Sequence, residues 1–334
     1  MNKLRFSSGM HLYIIISAAV IAVGLILGLV MHFTAGAFFN WGGDYAGYRS
    51  IEVKYSTYDI KEEQVREIAE DAFADNGIAY YTFVTAGEST NSRIEYRFAS
   101  SQDSDAIVTA AETIDAAVGI GSNFTGYAQA YTELAAERNA SVDITYAAIG
   151  VSVAVVFQFL YFLIRYKLTM AAAAFIADVH NLALFYALLA ITRVQVTPAM
   201  IAVSAFVVLV TMIGCAMLFD RMRKLFRTDE YKEMSSFDQV DGASRSAFPL
   251  VTLVNAIVFA AVLIMLVFTA IAGGTVFGLF MPCVCALLGV LASWYGTMFF
   301  TPSVYSRLKA GADRRAAEKQ IKYVGAKKSA KSAE

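Results

Sequence analysis

Six stretches of this chain are mostly apolar for about twenty residues at a time, and polar residues gather between them. A helix crossing a hydrocarbon core needs about 20 such residues. The pattern predicts spanning helices over Leu12–Phe33, Ile144–Ile164, Leu168–Ile191, Thr197–Phe219, Phe248–Ala272 and Val276–Phe300. Helices are expected because loops and open sheet edges leave backbone groups unsatisfied in lipid. Lys3 and Arg5 precede the first stretch and Ala35-Gly36-Ala37 follows it, as in a secretory signal. Its apolar run exceeds the roughly 7–15 residues of a signal core, so it reads as an uncleaved helix.

Between the first two helices lie about 100 mostly polar residues, enough for a small domain. Ile51, Val53 and Tyr55 alternate with polar positions, the period of a strand. Val65, Ile68, Ala69, Ala72 and Phe73 then recur at helical spacing, and Asn76-Gly77 closes that helix. A second strand is expected over Ala79–Val84, followed by a turn at Ala86-Gly87-Glu88 and a third strand through Ile94, Tyr96 and Phe98. Ile107, Ala111, Ile114 and Val118 mark a second helix, and a last strand is placed, on weak alternation, near 119–126. This order is most of a ferredoxin-like split βαβ unit. The expected fold is therefore a six-helix membrane protein with one extracytoplasmic ferredoxin-like α+β domain after the first helix.

Composition supports the membrane reading: 57% of residues are hydrophobic and 16% charged, with a mean hydropathy of +0.54. Charge sets the orientation. Residues 40–145 hold 18 acidic against 7 basic side chains. Nineteen of the 27 lysines and arginines fall in segments that share one side if both termini are cytoplasmic, and Arg193 is the only base in the short loops opposite. Positive residues are retained inside. The expected layout is a cytoplasmic start (1–11), a first span (12–33), an outer domain (40–143), a five-helix bundle (144–303) and a basic cytoplasmic tail (304–334). The tail's bases suit contact with anionic membrane lipids.

Candidate chemistry is sparse. Cys215, Cys283 and Cys285 lie in apolar runs, and His11, His32 and His180 are scattered, so no disulfide framework, metal cluster or cofactor is expected. No nucleotide loop is present, and the sequence gives no sign of an enzyme or of nucleic-acid binding. An ionisable group at the bilayer centre costs at least about 2.5–3.5 kcal/mol, so it is paired or functional. Asp178 and His180, near the middle of the third helix, qualify. Two residues apart on a helix they point in different directions, whereas Asp178 shares a face with Asn181. Asp178 facing Arg245 or a partner subunit is one expectation; a structural bond to Asn181 or Asn255 is the other. The sequons at Asn123 and Asn139 are assigned no function. Small residues such as Ala171–Ala174, Gly273-Gly274, Gly278 and Gly289 permit close helix approach.

Several short motifs, in order, resemble the SecF half of the SecD/SecF protein-export family, a relative of the resistance–nodulation–division transporters. After the first helix that family has a Gly-x-Asp-Phe-x-Gly-Gly turn; here Gly42-Gly43-Asp44-Tyr45-Ala46-Gly47-Tyr48 stands. Its Arg-Phe pair matches Arg165-Tyr166, and its His-Asp pair matches His180-Asn181. Its Phe-Asp-Arg-x-Arg motif is complete as Phe219-Asp220-Arg221-Met222-Arg223, and a Ser-Arg-Thr-like triplet stands at Ser244-Arg245-Ser246. The family's Asn-Asp on the fourth helix is replaced by Ile213-Gly214. The resemblance implies a plasma-membrane auxiliary subunit of the Sec translocase. It implies partnership with a SecD-like chain, the SecY/SecE/SecG channel and secreted polypeptides, and drive by the proton-motive force. It further implies that the missing Asp and the arginine matching Arg245 belong to the proton-coupling site, so Gly214 and Asn181 leave more of that chemistry to a partner. Rival readings are an exporter half of the same superfamily and a non-transporting scaffold with an outer sensor domain.

Overall fold

Long apolar runs and a short α+β pattern give the molecule two parts, seen in a computed structural model. The structure describes residues 6, 10–42, 45, 47–58, 60–78, 81–87, 91–99, 102–119, 127–134, 139–272 and 279–331. The α+β part begins after helix α1 (Met10–Ala35). It runs through β1 (Tyr48–Tyr55), α2 (Glu62–Asp75), β2 (Thr82–Ala86), β3 (Ser92–Ala99), α3 (Ser104–Gly119) and β4 (Tyr127–Leu134). The strands form one antiparallel sheet in the order β2-β3-β1-β4, the ferredoxin-like arrangement. Ile51 faces Tyr96 and Val53 faces Ile94 across β1 and β3. These side chains and Phe98 form the buried face against Phe73 of α2 and Ile107 and Ile114 of α3. The opposite face carries Glu52 paired to Arg93 at 3.4 Å and Glu95 paired to Arg97 at 3.1 Å.

The last strand sits later than the sequence predicts. Gly119 still belongs to α3, and β4 begins at Tyr127, while 120–126 lie outside the described residues. The core-facing positions of β4 are Ala128 and Ala130, whose small side chains make a faint period-2 signal. Likewise β2 begins at Thr82; residues 79 and 80 lie outside the described residues.

The bundle contains α4 (Ala140–Arg165), α5 (Leu168–Thr192), α6 (Met200–Leu225), the single turn α7 (Asp229–Lys232) and α8 (Ser236–Ala272). After these come α9 (Phe280–Tyr295), a π-helical turn at Gly296–Phe300, and α10 (Thr301–Lys331). Among the described residues, six helices are long and apolar enough to cross a membrane. Asn139, one of the two sequon asparagines, is the N-cap of α4: its side chain accepts from the Ser141 N–H at 2.9 Å. Three bounds differ from expectation. α8 starts twelve residues before Phe248, because Val240, Ala243 and Ala247 continue its buried stripe among polar neighbours. α6 runs on to Leu225, and the basic tail is helical to Lys331. Gly273, Gly274, Gly278 and Asn123 lie outside the described residues.

α5 and α6 form the centre, each with about half of its span buried, whereas α1, α4 and α8 are mostly open. Close contacts carry the packing. A Cβ on Gly24 would stand 2.7 Å from Cα of Ala187, so α1 lies against α5 backbone to backbone. A Cβ on Gly289 would meet Val207 at 2.5 Å, which brings α9 onto α6.

Candidate functional site

The centre of α5 carries three closely spaced polar residues that reach three different helices. Asp178 is 1% exposed, and its Oδ2 accepts from Gln158 Nε2 of α4 at 2.5 Å. Among the described residues its Oδ1 has no partner, nor has Gln158 Oε1. His180 turns the other way: Nε2 lies 2.8 Å from Ser17 Oγ of α1, and Nδ1 lies 3.0 Å from Asn181 Oδ1. Asn181 Nδ2 donates to Thr211 of α6 at 3.0 Å, Thr211 to Ser293 of α9 at 3.2 Å, and Ser293 to the Val207 carbonyl. Asp178 bonds to neither Asn181 nor Asn255, whose amide donates to the Val251 carbonyl instead. Among the described residues no basic side chain pairs with Asp178.

The direction of these bonds has a chemical consequence. Asn181 spends its N–H on Thr211, so its carbonyl oxygen is left to accept from His180 Nδ1–H. His180 Nε2 can then accept from the Ser17 hydroxyl. Alternatively, Ser17 turns its proton to the Tyr13 carbonyl, 2.8 Å away, and accepts a proton-bearing Nε2. One hydroxyl rotation thus accommodates either protonation state of the imidazole.

The π turn shapes this centre. A Cβ on Gly296 would fall 1.6 Å from Asn181 Oδ1, so only glycine admits the amide there. The next turn sets Phe300 flat on the His180 ring, with centroids 3.7 Å apart and planes 8° apart. Thr297 fills the place beside Gly214: a Cβ on Gly214 would lie 2.9 Å from Thr297 Cγ2. The position where the resemblance expects a carboxylate is therefore occupied by a neighbouring side chain. π turns inside α-helices are frequent at functional sites.

At the bundle end remote from the α+β domain, three motifs singled out in the sequence converge. Asp220 accepts from Arg165 Nη2 at 3.0 Å and from the Tyr166 hydroxyl at 2.8 Å. Phe219 is buried edge-on to Phe162, with centroids 5.8 Å apart. Arg221 Nε donates to Ser246 Oγ at 2.7 Å, tying α6 to α8, and Arg223 donates to the Arg165 carbonyl. The Arg165–Asp220 pair is 47% and 39% exposed, so it adds under about 1 kcal/mol of stability. Its value is positional. Arg245 is different: among the described residues its buried Nε has no partner, nor has Ser244 Oγ, and no carboxylate pairs with it. The expected Asp178–Arg245 contact is absent. Pro249, one turn on, has no N–H to offer the Arg245 carbonyl.

At the opposite end, the segment leaving α1 is strapped to the turn between α5 and α6. Gly42 N–H donates to the Val196 carbonyl at 3.0 Å, and Val196 N–H to Asn40 at 2.8 Å. Arg193, in the left-handed region at φ 54°, donates to the Phe38 carbonyl at 2.7 Å. Tyr45 donates to Asp143 of α4 at 3.0 Å. Gly42 is needed for closeness, since a Cβ would lie 3.3 Å from the Val196 carbonyl oxygen. Gly47, unlike Gly42, has a positive φ, 78°. Asp44 lies outside the described residues.

Sequence reasoning finds Asp178, His180 and Asn181 but misses Ser17, Gln158, Thr211, Ser293 and the π turn. Single Ser, Thr and Gln residues in apolar runs carry no periodic mark. Gln158, the sole amide in its run, was the one available signal.

The chain shares this architecture with known proteins. The family model "Protein export membrane protein SecD/SecF, C-terminal" matches residues 133–310. No curated protein matches the chain. Among solved structures, SecDF in a "super-membrane-facing form" aligns with a TM-score of 0.61 at 15% identity, covering 96% of this chain and 40% of that one. SecDF of Thermus thermophilus, described as a translocon-associated membrane protein, aligns with a TM-score of 0.51 at 15% identity, covering 93% and 39%. The chain thus spans about two fifths of the length of these structures, and the likeness extends to the fold.

Proposed function

Since the chain belongs to the SecD/SecF family of protein-export membrane proteins, we propose that it is the SecF-like member of a pair. In that role it works beside a SecD-like chain and the protein-conducting channel to draw secreted polypeptides outward. One helix, a ferredoxin-like domain and five further helices fit the SecF layout, and a two-fifths share of SecDF is what one half would cover. The charge distribution supports cytoplasmic termini and an outer α+β domain.

The observation that carries the proposal is a mechanical one: the strap at 38–42 joins the root of the α+β domain to the turn that follows α5, the helix that holds Asp178 and His180. A protonation change on α5 is thereby connected to the domain through backbone hydrogen bonds. One proton moving down 100 mV supplies about 2.3 kcal/mol, roughly a 50-fold bias between two arrangements. That is enough to move a balanced two-state domain. Asp178 Oδ1 and Arg245 Nε, both without a partner among the described residues, are two polar groups available to a changed arrangement or a partner helix. Arg245→Ala should cut secretion of a reporter at least tenfold in cells depleted of the native chain, and a SecD-like chain should co-purify. Normal secretion by that variant, or recovery of an unrelated membrane partner only, would favour the scaffold reading.

A further inference from the structure

Beneath the Asp220 motif, at the bundle end remote from the α+β domain, lies a cavity of about 680 Å³. It opens between the turn joining α4 to α5, the end of α6, and the first turns of α10. Five basic side chains line it, Arg165, Lys167, Arg223, Arg227 and Lys309, against one carboxylate, Asp313. Their present engagements are unequal. Arg165 is held by Asp220, Arg223 reaches the Arg165 carbonyl, and Lys309 pairs with Asp313 at 2.5 Å. Lys167 and Arg227 are exposed and, among the described residues, make no side-chain hydrogen bond or contact ion pair, Lys167 standing only within longer electrostatic reach of Asp313. The wall is apolar: Phe226 and Tyr305 stack with planes 9° apart, and Leu168 and Met170 continue it toward the apolar spans.

Bases at helix ends also hold a membrane protein in register with the headgroups. That task asks for a ring of charge, not for a concavity with an aromatic wall leading into the spans. A cavity at headgroup depth, with surplus positive charge at its mouth and apolar walls below, has the chemistry of a phosphodiester bearing acyl chains. We propose that this cavity is a binding site for the phosphate headgroup of an anionic phospholipid, with Lys167 and Arg227 as its free ligands. At this corner Arg165 already binds Asp220 and Arg223 binds the Arg165 carbonyl, so an occupying lipid also braces the motif that joins α4 to α6.

Native mass spectrometry of the full chain in detergent, titrated with phosphatidylglycerol and with phosphatidylcholine, tests this. The wild type should retain phosphatidylglycerol in preference to phosphatidylcholine. The exposed pair Lys167→Gln with Arg227→Gln should lower phosphatidylglycerol affinity about 30-fold, two bases near an anionic headgroup having been removed. The matched change Lys224→Gln with Arg307→Gln, which removes equal charge outside the cavity, should leave it within about threefold of wild type. Equal loss in both double variants would mean diffuse attraction and overturn the site. No loss in the first would overturn it as well. Soluble glycerol phosphate binding as tightly as the lipid would assign the cavity to a free phosphate instead and overturn the lipid assignment.

Discussion

Asp178 and Tyr96 show how differently a buried polar atom behaves in the two parts of the molecule. Asp178 sits among spans with one oxygen unpartnered, where lipid offers no solvent to satisfy it. Tyr96 is buried in the α+β domain's core with its hydroxyl also unpartnered among the described residues, and burial pushes that hydroxyl above the ordinary tyrosine range. The fold favours neutral Tyr96, so its contribution is intact below pH ~10 and is lost as pH rises through the elevated folded value. Replacing it by Phe removes an unsatisfied group at nearly constant shape. Tyr96→Phe should leave the domain as stable as wild type or up to about 1 kcal/mol more stable, and should blunt its alkaline unfolding. Pulse proteolysis of the outer domain between pH 8 and 11.5 reads both; a variant clearly less stable at pH 8 would mean the hydroxyl has a role that geometry does not reveal.

At the scale of elements, legibility followed hydrophobic contrast. The spans could be read because a run of twenty apolar residues is rare outside a membrane helix. β1 and β3 could be read because Ile, Val, Tyr and Phe alternate with charges, whereas β4 offers Ala128 and Ala130 to the core and blurs the period. The start of α8 was hidden by Asp238, Asp241 and Arg245, which lower hydropathy without breaking the helical spacing of Val240, Ala243 and Ala247. The π turn has no sequence signature at all; its cause is tertiary, the fit of Gly296 against Asn181. The same helix contact accounts for the missing carboxylate. Thr297 occupies the space beside Gly214, so Gly214→Ala alone should destabilise by about 1–3 kcal/mol through overpacking. Adding Thr297→Ala should recover most of that loss. Thermal unfolding in detergent measures it, and a single variant as stable as wild type would mean that α6 and the π turn are looser than this packing implies.

For the whole molecule, the parts form a path from one membrane face to the other. The motifs at the end remote from the α+β domain fasten α4, α6 and α8; α5 carries the buried ionisable residues; and the strap ties the turn after α5 to the root of the α+β domain. Much of this path was visible as isolated motifs, because family patterning marks residues without saying what they touch. What the sequence left dark was the joining: Arg193, one base in a short outer loop, proves to be the clasp on Phe38.

The coupling of that path to protons is best tested by a distance. Dyes placed at Thr113→Cys on α3 and Thr192→Cys at the end of α5 sit on exposed positions, while the native Cys215, Cys283 and Cys285 are buried. Single-molecule energy transfer between them, with the SecD-like partner present in proteoliposomes, should shift when a proton gradient is imposed. The shift should vanish in Asp178→Asn. A wild-type distance that ignores the gradient, or an identical shift in the variant, would contradict the account.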